Sequence, residues 1–202
     1  METESAELEK LMTPEERALY ERFKARLGME FVPHNPHPMF YPWGTEDPVQ
    51  WSSIKRWATI NGDFNALWFD PEYAGKSRWG GVIAPPLYLL AMDDPVSVAE
   101  DFVSEIYDSN CMLRRDRYPT FRGSMMANAE FEFFRPIRPG DKLEVKRKCT
   151  DIYWRQGKRY RLLFLLGETT YYNHKKEQVA VSRGGAVYMF KSTDTTGSKP
   201  KG

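Results

Sequence analysis

Trp57-Ala58-Thr59-Ile60-Asn61-Gly62-Asp63-Phe64-Asn65-Ala66-Leu67-Trp68-Phe69-Asp70-Pro71-Glu72-Tyr73-Ala74 joins a helix end to a compact loop. Val49, Ile54, Trp57 and Ala58 place the preceding helix between about Asp47-Pro48 and Ile60. Asn61-Gly62-Asp63 breaks it, because asparagine, glycine and aspartate favour turns over continued helix. Asp70-Pro71 then starts one short helical turn through Ala74.

Toward the N-terminus, Thr13-Pro14-Glu15-Glu16 supplies a capping hydroxyl, a proline at the first helical position and a glutamate at the third. Leu19, Tyr20, Phe23 and Leu27 follow at helical spacing, and Gly28 supplies a stop. This stripe predicts a helix docked on the main domain. Pro33, Pro36, Pro38, Pro42 and Pro48 crowd residues 31–48, which predicts an extended crossing without regular structure. The acidic opening METESAELEK has no apolar core, so no secretory signal is expected there.

Toward the C-terminus, Trp79-Gly80-Gly81-Val82-Ile83-Ala84-Pro85-Pro86 is a glycine-rich approach to a further helix. Leu87 to Met92 is nearly all apolar, which predicts burial on every side. Val98, Phe102 and Ile106 predict an amphipathic helix over 95–108. Strands follow: about Ala127–Phe134, a run with Leu143 and Val145 alternating against Lys142, Glu144 and Lys146, Tyr160–Tyr172, and Val179–Phe190. Turns fall at Arg135–Asp141, Gln156–Lys158 and Asn173–Glu177. Helices first and an antiparallel meander afterwards predict an α+β layered fold. Residues 1–46 read as an N-terminal helix and proline-rich extension, 47–191 as the main domain and 192–202 as a disordered polar tail.

The 202 residues carry 29 Lys plus Arg against 28 Asp plus Glu, a net charge of +1 that argues against a general nucleic-acid binder. No window approaches 18 consecutive apolar residues, so no membrane helix is expected. Cys111 and Cys149 make neither a disulfide framework nor a metal knuckle, and a reducing cytoplasm fits them. His34 and His37 have the spacing His-x-x-His without further ligands, so no metal and no cofactor are expected. His174 reads as solvated in its turn.

Three of these stretches, residues 57–74, Gly80–Pro86 and Arg135-Pro136-Ile137-Arg138-Pro139-Gly140-Asp141-Lys142-Leu143, occur in the order found in the MaoC-like acyl-thioester hydratases and dehydratases. The resemblance covers roughly residues 47–190. It implies a hot-dog fold, an antiparallel sheet wrapped around a buried central helix, here with an extra N-terminal helix. It also implies an acyl-CoA or acyl-carrier-protein thioester as substrate.

Hydrating a 2-enoyl thioester takes a base, an acid and donors aimed at the thioester oxygen. The family uses an Asp and a His in the motif loop and a backbone N–H at the central helix start. Asp63 matches the aspartate, and Asn65 matches an asparagine that braces the loop or touches substrate. Trp68 stands at the histidine position, and an indole takes no proton at neutral pH. Ala84-Pro85-Pro86 stands where a glycine N–H is expected, and proline has none.

The chain therefore resembles the degenerate, histidine-lacking half of a double hot-dog enzyme. That half shapes the acyl pocket, here with Trp68, Gly80, Gly81, Ile83 and Pro86. The Asp/His chemistry would come from a second MaoC-like subunit; a homodimer is the other arrangement. Lys146, Lys148 and Arg159 are candidates to meet CoA phosphates, against the plainer reading of a solvated, edge-protecting row. Rival readings are a self-sufficient hydratase using Asp63, a non-catalytic acyl-CoA binding protein and a hot-dog thioesterase.

Overall fold

The computed structural model of the chain describes residues 2–31, 47–92 and 117–191. The proline-rich crossing, the helix expected over 95–108, the tail after Lys191, His34, His37 and Cys111 lie outside those residues. The described chain runs α1 (Glu2–Glu9), α2 (Pro14–Lys24), β1 (Glu30–Phe31), α3 (Trp51–Ile60), α4 (Ala66–Phe69) and α5 (Pro71–Lys76). A 3-10 turn (Pro86–Tyr88) and α6 (Leu89–Met92) follow, then β2 (Phe121–Phe133), β3 (Leu143–Gln156), β4 (Tyr160–Asn173) and β5 (Gln178–Lys191). The strands form one antiparallel sheet in the order β1-β3-β4-β5-β2. None of the described helices is long and apolar enough to cross a membrane.

One face of the sheet is covered by helices along its length. On β4 the buried positions alternate without a break from Arg161 to Asn173. On β3 the phase changes: Leu143, Val145, Arg147 and Cys149 are buried, then Ile152 and Trp154. A bulge between Cys149 and Asp151 inserts the residue that shifts the pleat. Across the sheet, Gly184 and Gly185 leave no room for a side chain. A Cβ on Gly184 would stand 2.2 Å from the Asn128 carbonyl oxygen, and one on Gly185 2.0 Å from that of Leu165. Strand β2 carries its own bulge between Met126 and Asn128 at the same level.

Two hydrophobic clusters divide the covered face. The first joins Leu8, Leu19, Tyr20 and Phe23 of the N-terminal region to Trp154, Leu163, Leu165, Tyr188 and Phe190. The second joins Ile54, Ala58, Trp68, Tyr88 and Leu89 to Leu143, Val145, Tyr171 and Val179.

Helix α1 has little amphipathic pattern because much of its work is to cover a strand edge. Trp154 N–H donates to Ser5 Oγ at 3.0 Å and Gln156 N–H to Glu4 Oε1 at 3.2 Å. These amides face the side of β3 that β1 does not reach. Helix α2 starts with the capping box that its sequence indicates: Thr13 Oγ1 accepts from Glu16 N–H, and Glu16 Oε2 accepts from Thr13 N–H. The same carboxylate receives the Arg161 guanidinium at 3.0 and 3.1 Å and the Thr120 hydroxyl. Both side chains of this ion pair are essentially fully buried, and the guanidinium lies over the Trp154 ring.

Three expectations are corrected. Helix α3 begins at Trp51, not at Asp47-Pro48, because Val49 is held by backbone bonds to the 138–141 turn. Val49 N–H donates to Asp141 O and Gly140 N–H to Val49 O, each at 2.8 Å. The segment Leu87–Met92 is not buried on every side. Tyr88, Leu89 and Met92 pack inward, whereas Leu87 and Leu90 are 48% and 40% exposed. Their outer face has no cover among the described residues. Strand β2 also begins earlier than expected, at Phe121, because its Met- and Ser-rich first half pairs with β5 as an edge.

Glu16→Gln leaves the Arg161 charge buried without its counter-charge, so chemical denaturation should show a loss of about 3–5 kcal/mol. The double replacement Glu16→Leu/Arg161→Met should recover much of that loss. Gly185→Ala forces β4 and β5 apart and should lower stability by about 1–3 kcal/mol, the range for overpacked interiors, read as a fall in melting temperature.

Candidate functional site

The motif loop is built by a chain of local caps. Helix α3 ends with Gly62 at φ +69°, with Gly62 N–H bonded to Thr59 O and Asp63 N–H to Ala58 O. Asp63 Oδ1 then accepts the Asn65 N–H at 3.2 Å. Asn65 Oδ1 accepts the Leu67 N–H at 3.0 Å and so caps α4. Asp70 Oδ1 accepts from Glu72 and Tyr73 and caps α5. Within this rigid corner Phe64 points out and Trp68 points in, buried against the second cluster. The Trp68 carbonyl accepts the Trp51 indole N–H at 2.8 Å. Its own Nε1 is buried without a hydrogen-bond partner.

The glycine-rich approach is tied to this corner and to the later turn. Gly81 N–H donates to Ala74 O at 3.0 Å, and the Arg138 guanidinium donates to Trp79 O. Ala84 N–H donates to Ile137 O at 2.8 Å. Arg138 N–H donates to Asp141 Oδ2 at 2.7 Å, which closes the Arg135–Asp141 turn. His174 lies with Nδ1 3.5 Å from Asp141 Oδ1, a pairing that its sequence position does not reveal.

These contacts draw the three motif stretches around one cavity of about 310 Å³. Leu67 and Trp68 come from the motif loop. Trp79 and Ile83–Pro86 come from the glycine-rich approach, and residues 133–137 from the end of β2 and the following turn. The lining is mostly apolar side chains. Three backbone donors at its wall are committed: Ala84 to Ile137 O, and both Phe134 and Arg135 to Val179 O. Pro85, Pro86 and Pro136 have none to offer.

The charged side chain of the lining, Arg135, turns to Glu177 with Nε 3.3 Å from Oε1. The Asn173 amide, aided by Arg135, holds the Glu177 carboxyl below the usual carboxylate range. Such a cavity can hold an acyl chain. Its described lining contains no carboxylate, histidine or cysteine that could exchange a proton with a ligand.

Of the residues singled out from sequence, Trp68, Ile83 and Pro86 line the cavity, and Gly80 and Gly81 turn the chain beside it. Asp63 and Asn65 do not line it. Their side-chain oxygens serve the loop, and among the described residues Asp63 has no ion-pair partner. Lys146 and Lys148 alternate with the core-facing Val145, Arg147 and Cys149, and so project from the opposite face of the sheet. The Lys146 ammonium lies 5.8 Å from the Tyr172 ring centroid.

Arg159 is exposed in the β3–β4 hairpin, whereas the cavity lies at the Leu143–Asn173 end of the sheet. Twelve or so strand residues separate them, about 40 Å of extended chain. Leu67, Trp79, Ala84, Pro85 and residues 133–137 also line the cavity without being singled out as pocket residues by the sequence. All but Phe133 and Phe134 sit inside or beside the motif stretches, which is the signal the sequence offers.

Residues 41–182 match the family described as FAS1-like, dehydratase domain region. A probable enoyl-CoA hydratase alpha subunit from Thermomonospora curvata is 27% identical over 164 residues, which is 77% of this chain and 50% of that protein. The chain thus spans about half the length of this curated relative.

Among solved structures, the ChsH1-ChsH2 complex from Mycobacterium tuberculosis gives a TM-score of 0.58 at 21% identity, covering 78% of this chain and 86% of that one. The HadBC (3R)-hydroxyacyl-ACP dehydratase complex from the same organism gives 0.51 at 16%, covering 81% and 96%. A MaoC-like dehydratase from Rhodospirillum rubrum gives 0.50 at 22%, covering 82% and 92%. These likenesses establish the hot-dog fold. With its motif stretches gathered at one cavity and its sequence matched over most of its length, the chain belongs to the FAS1-like, MaoC-type dehydratase family.

Proposed function

We propose that this chain is the pocket-shaping subunit of a heteromeric enoyl-CoA hydratase or 3-hydroxyacyl-thioester dehydratase. In this reading it seats the acyl chain, and a second hot-dog subunit supplies the Asp/His pair. The observation that carries the proposal is the composition of the cavity. It is formed by the family's three motif stretches, yet its described lining has no proton-exchanging group. Asp63 lies off that lining, with its Oδ1 bracing the loop. Loss of a positioned acid or base typically costs about 10²–10⁴-fold in rate. Loss of an oxyanion donor costs about 10²–10³-fold. A site with prolines at the helix start and no proton-exchanging group in its described lining is suited to binding rather than turnover.

The outer edge of β2 supports a partner subunit. Met125 and Met126 are exposed along this edge strand, and Phe133 and Phe134 are exposed where it meets the cavity. A long apolar edge is suited to pairing with another strand. The match to half of an alpha subunit is consistent with one hot-dog unit here and another supplied separately. A CoA thioester seated in the cavity would have Lys146 and Lys148 on the other side of the sheet, so neither is assigned to its phosphates.

Purified alone, the chain should hydrate 2-enoyl-CoA at close to the background rate. Co-purified with a hot-dog subunit bearing Asp and His, it should show turnover at least 100-fold higher, with Asp63→Asn costing less than tenfold. Robust activity of the single chain, abolished by Asp63→Asn, would instead make it a self-sufficient hydratase. Release of free thiol without hydration would make it a thioesterase. Acyl-CoA binding with no turnover under any pairing would make it a carrier or scaffold.

A further inference from the structure

We infer that the Trp68 indole N–H is a donor that this cavity offers to an acyl ligand's carbonyl oxygen, which makes Trp68 a specificity-determining residue. The inference rests on the acyl-thioester reading above and names the atom that would recognise the thioester.

Several other donors at the wall are spent or missing. The Ala84, Phe134 and Arg135 amides are bonded to backbone carbonyls, and Pro85 and Pro86 carry no N–H. Trp68 Nε1 is the one lining side-chain atom, among the described residues, that is buried and without a partner. Buried N–H groups are almost always bonded, and an orphan in an apolar wall is a standing cost that a ligand acceptor removes.

The backbone that carries this side chain is held in place. The Trp68 carbonyl is fixed by the Trp51 indole, and α4 is capped by Asn65. Nε1 is covered in the ligand-free chain, so a small shift of the ring or its neighbours accompanies binding. An indole donates and does not accept a proton, so Trp68 can orient and polarise a carbonyl without acting as acid or base. The cavity would then discriminate by oxygen: an apolar chain with a carbonyl at its head fits, and the same chain without one leaves the N–H unpaired.

The test compares octanoyl-CoA with S-octyl-CoA, the thioether that lacks the carbonyl, on the full chain. Calorimetry should give about 3–10-fold tighter binding of the thioester, the range expected for one neutral hydrogen bond. Trp68→Phe should erase that preference, bringing the two ligands to within twofold of each other. In ¹⁵N-labelled native protein, the assigned Trp68 indole signal should move downfield with the thioester and stay in place with the thioether. This second reading holds even if Trp68→Phe does not fold.

Equal weakening of both ligands by Trp68→Phe, or an indole shift that is the same for both, overturns the inference and leaves the acyl-thioester reading intact. If neither ligand binds the native chain, the acyl-thioester reading itself fails and takes this inference with it.

Discussion

A single apolar face on a sheet of 14-residue strands sets the terms for everything else in this chain. At about 3.3 Å per residue such strands run more than 40 Å, longer than any described helix can cover. The face is therefore covered in two parts. The helices α1 and α2 cover one end and α3 to α6 the other. Between them lie Arg147, Thr169 and Ser182, buried polar residues aligned across β3, β4 and β5. The cavity forms at the second end because short helical pieces, broken by prolines and glycines, cover a sheet less completely than one continuous helix.

What could be read from the sequence was local. The four long strands announce themselves by alternation and by turns such as Asn173–Glu177, where the Asn173 side chain accepts the Lys175 and Glu177 amides. The capping box before α2 was equally plain. What escaped depends on partners far along the chain. The start of α3 is delayed by the 138–141 turn, some ninety residues away. The pleat of β3 changes phase at a bulge that no local pattern marks. Helix α1 covers strand amides through Ser5 and Glu4, a task with no hydrophobic signature.

The site divides along the same line. Its three stretches were legible as contiguous motifs, and they do converge. The roles of individual side chains were less so. Asp63 and Asn65 keep the residue types of a reaction loop, but each uses its Oδ1 on a backbone amide of that loop. The basic row on β3 lies on the face away from the cavity because the pleat alternates, and Arg159 lies at the far end because the strands are long. Trp68 and the Pro85-Pro86 pair come from separate stretches and meet in the cavity lining.

Glu16 links two events that are usually separate. Its carboxylate both opens α2 and holds that helix to β4 through Arg161. Peeling the helix from the sheet would expose a buried charge and unwind the helix's first turn together. The N-terminal arm and the far end of the sheet should consequently come apart as one cooperative block, with no half-detached form worth populating.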